Sequence, residues 1–165
     1  MIKKILLYFA YAIFFLSIRQ VFLWPGDTLL LLVIFCGLYE RMVFGLVITL
    51  LLGMMVDVTS YAHFGTFIFS FGVLFAFLRF LRNKIEFEVT LSRFYWICIF
   101  TFFVTFLSWL WVSLVGSEPR PFWIYMKPKN LDWMVTPILG LFWFRFLKVY
   151  TDLSMEHLVE MKDQW

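Results

Sequence analysis

Asp57, Ser60 and His63 follow one another at intervals of three in the stretch GMMVDVTSYAHFG, Gly53 to Gly65, at the end of a long apolar run. An acid, a hydroxyl and an imidazole are the residue types of nucleophilic catalysis, and spacing by three puts them on one side of a helix end. That chemistry needs more than the three groups. The nucleophile must reach its base and have an oxyanion site beside it, and the stretch has no strained nucleophile turn. An aspartyl protease working inside a membrane would need a second facing aspartate. Asp132 and Asp152 stand at the ends of apolar segments, not within them. No glycine-rich phosphate loop, thiolate cluster or His-Glu zinc spacing occurs, so no enzyme, cofactor or metal site is expected.

The elements that must position these residues are apolar throughout. Of 165 residues, 63% are hydrophobic, 23% aromatic and 15% charged, against about 25% charged in a soluble domain. This composition predicts an all-α integral membrane protein. Residues 1–150 form one polytopic domain in this reading, and residues 151–165 a cytoplasmic tail able to form an amphipathic helix. Lys3 and Lys4 precede an apolar run as in a signal peptide, but no small-residue cleavage site follows, so a retained first helix is expected. Cys36 and Cys98 lie in apolar segments, where a thiol is a small buried hydrophobe. The net charge of +3 gives no reason to expect nucleic acid.

A spanning helix needs about 20 apolar residues. Ile5 to Trp24, Phe94 to Val115 and Trp133 to Tyr150 qualify, and His63 to Leu78 does so with its flanks. Thr28 to Tyr39 and Met42 to Val56 are short and are interrupted by Glu40 and Arg41. They form either two short spans, giving six transmembrane helices, or a re-entrant hairpin, giving four. With six helices and both termini cytoplasmic, the inner side holds Lys3, Lys4, Arg41, Arg79, Arg82, Lys84, Arg93, Arg145, Lys148 and Lys162. The outer side keeps Arg19, Arg120, Lys127 and Lys129, the imbalance that the positive-inside rule requires.

An ionisable group in a spanning segment costs about 2.5 to 3.5 kcal/mol at mid-bilayer on insertion scales. Arg19 can snorkel to the headgroups or pair with Asp57. Gly53 lies one helical turn before Asp57, and Gly45 continues the stripe, so this face admits close packing of another helix. Asp57 then either bonds a neighbouring loop or caps the next segment. Glu40 and Arg41 read as a solvated helix junction. The basic loop RFLRNKIEFEVTLSR suits lipid headgroups. The outer connection GSEPRPFWIYMKPKN, stiffened by prolines and carrying Trp123, lies on the outer leaflet or folds over a binding surface.

Three stretches, WPGDTLLLL from Trp24, GMMVDVTSYAHFG with Gly53, Asp57, Ser60 and Gly65, and PFWIYMKPKNLDWMVTPILGLFW with Pro137, resemble the rod shape-determining protein MreD family of bacteria. The resemblance implies a non-enzymatic scaffold of the cell-elongation machinery in the cytoplasmic (inner) membrane. Such a scaffold binds an MreC-like single-span protein and links MreB filaments to the peptidoglycan-synthesising RodA and its class B penicillin-binding partner. Partner binding or helix packing would fall to Arg19, Gly45, Gly53, Asp57, Ser60, Gly65, Trp123 and Pro137, with membrane lipid and a second copy of the chain as further partners. The family's fold is similar to that of substrate-binding membrane subunits of ECF transporters. The alternative function is therefore small-molecule binding, with Asp57, His63 and Trp123 lining an outer pocket.

Overall fold

The computed structural model describes residues 8–17, 27–60, 63–82, 84, 90–116, 121–126 and 130–150. Arg19, Trp24 and the tail from residue 151 lie outside them. The described residues form helices and no strand: α1 (Tyr8–Ser17), α2 (Thr28–Tyr39), α3 (Met42–Thr59), α4 (Thr66–Leu81), α5 (Thr90–Val115), α6 (Phe122–Met126) and α7 (Asn130–Tyr150).

The bundle is built around α2. Its sequence, TLLLLVIFCGLY, is apolar all round, and every one of its residues is buried, the outcome physics requires of a helix without a polar face. Around it, α3, α4 and α7 pack directly, and α1 reaches it through the Tyr11 hydroxyl, which donates to the Thr28 carbonyl at 3.3 Å. Both ends of α2 are closed. Asp27 accepts from the Leu30 N–H at 3.0 Å, and at the other end the Glu40 N–H donates to the Cys36 carbonyl at 3.2 Å. Twelve residues rise only about 18 Å, so α2 is a buried half-length helix.

The outer helices divide by face. In α1, Tyr8, Ala12 and Leu16 are buried at intervals of four while Phe9, Ile13 and Phe14 are exposed. In α3, Gly45, Ile48, Thr49, Leu52, Gly53, Val56 and Asp57 point inward, and Met42, Val43, Leu46, Val47, Leu50, Leu51, Met54 and Val58 are exposed. Both faces of α3 are apolar, so its exterior suits hydrocarbon rather than water. On α5, the hydroxyls of Thr101 and Thr105 donate to the carbonyls four residues back, at 2.8 Å each, which satisfies them within their own helix.

Two of the described helices, α3 and α5, are long and apolar enough to cross a membrane. The interval Met42 to Val56 is thus not a short segment: α3 continues through Asp57 to Thr59 and reaches 18 residues. Its neighbour α2 does stop at Tyr39, where Glu40 turns to extended backbone.

Three close approaches set the spacing. A Cβ on Gly53 would lie 2.7 Å from the Cα and 2.9 Å from the N of Ile68, so the backbones of α3 and α4 touch there. On Gly45 it would meet Phe75 at 2.8 Å and the Cys36 carbonyl at 3.0 Å. Gly140 of α7 faces Ile97 of α5 and Leu31 of α2. Backbone cannot yield as a flexible side chain can, so Gly53→Ala is expected to lower stability by about 1–3 kcal/mol. Gly72→Ala, whose new methyl would have only Leu50 at 3.7 Å for company, should be neutral or slightly stabilising. Thermal unfolding of both variants in mild detergent checks the contrast.

Candidate functional site

A helix start leaves four N–H groups without intrahelical acceptors, and in an apolar surrounding each must find one. At α4 the N-cap is Gly65, in the left-handed region at φ +93, where glycine is at ease but supplies no capping side chain. Asp57, eight residues back on α3, supplies it. Its carboxylate accepts from the Phe67 N–H at 2.9 Å on Oδ1, and from Gly65 at 3.0 Å and Ile68 at 3.1 Å on Oδ2. The Thr66 N–H donates to the His63 carbonyl at 3.1 Å, and that of Phe69 to the Gly65 carbonyl at 2.9 Å, so no donor of the first turn is left over.

Asp57 is 4% exposed. A negative charge there is held by charge-assisted bonds and by the positive end of the α4 dipole. Gly53, one turn earlier, allows the approach that brings the carboxylate into reach. Gly53, Asp57 and Gly65 therefore form one joint: close contact, cap, and the glycine turn that presents the N–H groups. At the end of α3, the Ser60 N–H donates to the Val56 carbonyl at 2.8 Å and the Thr59 hydroxyl to Met55 at 2.9 Å. Among the described residues the Ser60 hydroxyl donates to the Asp57 main-chain carbonyl, at 3.5 Å.

This geometry does not assemble a catalytic triplet. Both Asp57 oxygens face backbone donors, Ser60 bonds main chain, and the His63 side chain is exposed. The Gly45, Gly53 and Asp57 face, expected to clamp a partner helix, is filled by α4 and the end of α2 of the same chain. Arg19, the proposed ion-pair partner of Asp57, lies outside the described residues.

A line of hydroxyls continues from the joint. Ser70 donates to the Thr66 carbonyl at 2.7 Å and shares a 3.0 Å bond with Ser108 of α5. Tyr125 of α6 also bonds Ser108, and burial pushes its phenol above the ordinary tyrosine range against the opposing pull of that bond. Phe122 packs against Trp109, Phe106 and Phe102 at 5.3, 6.0 and 6.1 Å between ring centres. Phe106 is nine residues inside the end of α5, roughly 13 Å along its axis. α6 thus lies back along α5, with Trp123 left 78% exposed.

At the opposite end of the bundle stands a cluster the sequence did not reveal. Glu40 is 6% exposed, not solvated. Its carboxylate accepts from the Tyr8 hydroxyl at 2.6 Å, and its carbonyl accepts from the Arg79 guanidinium, which lies 5.2 Å from the Phe75 ring centre. One residue thereby joins α1, the α2–α3 turn and α4. Asp27 was also missed: besides capping α2, its N–H donates to Thr136 of α7 at 2.8 Å. An aspartate opening the apolar run DTLLLL is the sequence signal for that cap. Pro137, the next residue of α7, is buried, at a position where the missing N–H removes one intrahelical bond.

Among the described residues no group of acidic, histidine and cysteine side chains could hold a metal ion, and Cys36 and Cys98 are free thiols. No family model, curated protein or solved structure matches the chain.

Removing the cap leaves buried N–H groups without acceptors, each worth about 1–3 kcal/mol. Asp57→Ala is therefore expected to cost about 3 kcal/mol or more, Asp57→Asn, which keeps one acceptor oxygen, roughly half as much, and His63→Ala less than about 0.5 kcal/mol. Thermal unfolding in mild detergent gives the order.

Proposed function

We propose that the chain is a multi-pass protein of the bacterial cytoplasmic membrane, crossing six times with both termini inside. In this reading it is a non-enzymatic scaffold of the cell-elongation machinery that binds an MreC-like single-span protein. The observation that carries the reading is the joint itself. Gly53, Asp57 and Gly65, from the stretch most specific to the MreD resemblance, work as one structural unit, which gives their spacing a mechanical purpose. The polar groups of the bundle favour a scaffold for the same reason: Asp57, Asp27 and Glu40 hold helices to one another.

Charge placement supports the sidedness. Arg41, Arg79, Arg82, Lys84, Arg93 and Arg145 gather at the end of the bundle where α2 and α4 finish and α5 begins. At the other end the described charged side chains are acidic, Asp27 at the start of α2 and Asp57 near the end of α3. A cytoplasmic cationic end follows from the positive-inside rule. With the glycine face occupied by α4, a partner helix has the exposed side of α3 available, where Leu46, Leu50 and Met54 form a ridge at intervals of four.

The alternative, a small-molecule-binding subunit of the ECF type, would need Asp57, His63 and Trp123 to line one pocket. Against it, the oxygens of Asp57 are engaged by backbone, and Trp123 is 78% exposed.

Purification from native membranes in mild detergent tests the proposal. The expected result is co-purification of a single-span coiled-coil protein, lost in Met54→Trp while the variant keeps the wild-type unfolding temperature. Recovery of the chain with a stoichiometric small molecule or an ATPase module, and without such a protein, would overturn it.

A further inference from the structure

The cations at the inner end are not equally provided for. Arg79 spends its guanidinium on the Glu40 carbonyl and the Phe75 ring. Arg82, one turn further along, is half-buried and close enough to Arg79 for the two charges to repel. Arg41, next to Glu40 at the start of α3, is exposed, and so is Lys84 just past α4. Among the described residues no carboxylate bonds Arg41, Arg82 or Lys84. The mouth of the α3–α4 pair therefore sets, among the described residues, four cations, Arg41, Arg79, Arg82 and Lys84, against the one carboxylate of Glu40.

These cations border apolar surface. Arg41 adjoins the exposed Met42 and Val43, and the Lys84 ammonium lies 5.0 Å from the ring centre of the exposed Phe80. A lysine laid on an outward-facing ring at the end of an apolar helix has its stem at acyl-chain level and its charge at phosphate level. An acidic protein would meet the cations but gain nothing from the apolar side chains beneath them. A phospholipid satisfies both, with chains against Val43 and Phe80 and a phosphate beside Arg41, Arg82 and Lys84.

We infer that the α3–α4 mouth is a binding site for the phosphate headgroup of an anionic phospholipid. The site rests on the multi-pass reading, because it places this mouth at a leaflet surface. It also gives the scaffold a composition-dependent anchor: the Arg79–Glu40 contact that ties α4 to the α2–α3 turn lies beside the bound headgroup.

The experiment is tryptophan quenching by brominated phospholipids, with the full chain reconstituted in bilayers of phosphatidylglycerol and phosphatidylcholine. The wild type is expected to prefer phosphatidylglycerol. Arg41→Gln and Lys84→Gln, both at exposed positions, should each lower that preference about fivefold, while Arg145→Gln at the α7 mouth leaves it unchanged. Equal affinity for the two lipids, a preference that survives both substitutions, or a preference abolished by millimolar inorganic phosphate would overturn the lipid site while leaving the membrane reading in place. Quenching by neither lipid would instead remove the multi-pass reading and the site with it.

Discussion

A helix that begins in an apolar surrounding cannot leave its first N–H groups to water, and α4 begins with a glycine that has no side chain to offer them. The bonds from Asp57 to Gly65, Phe67 and Ile68 resolve that constraint, and much of the arrangement follows from them. The carboxylate must come from another helix, so α3 and α4 must lie within backbone contact, and Gly53 is the residue that permits it. Once α4 is fixed against α3, its Ser70 meets Ser108 of α5, and its far end places Arg79 on the turn that follows α2.

The same economy governs the other helix ends. Asp27 caps α2 and at once ties it to α7 through Thr136, and Glu40 closes the opposite end while accepting from Tyr8. Each of these acids satisfies backbone or hydroxyl donors and joins two or more helices. Between helices in lipid there is little hydrophobic driving force, so close packing and satisfied polar groups carry the association. The acids lie where such groups are few, which makes each of them costly to replace.

The sequence made the α3 stripe legible because Gly53 and Asp57 are one turn apart, a spacing fixed by helix geometry alone. It also marked Asp57 as a group able to cap the next segment. It did not say which helix fills the stripe, because a glycine face invites a neighbour of the same chain and a foreign partner equally. Glu40 was misread for a related reason. A Glu-Arg pair between two apolar runs looks solvated, and only the positions of Tyr8 and Arg79, 32 and 39 residues away, bury it. The inward course of α6 depends likewise on aromatic contacts with α5 that no local pattern encodes. What was legible was local and periodic, and what was not depended on distant partners.

The most direct measurement of the central claim is residue-resolved amide hydrogen exchange of the wild-type chain in a membrane mimetic. If Asp57 caps α4 as described, the amides of Gly65, Phe67 and Ile68 are protected to the same degree as those in the middle of α3. Exchange of these three amides at the rate of a frayed helix start, with the rest of α4 protected, would contradict the account.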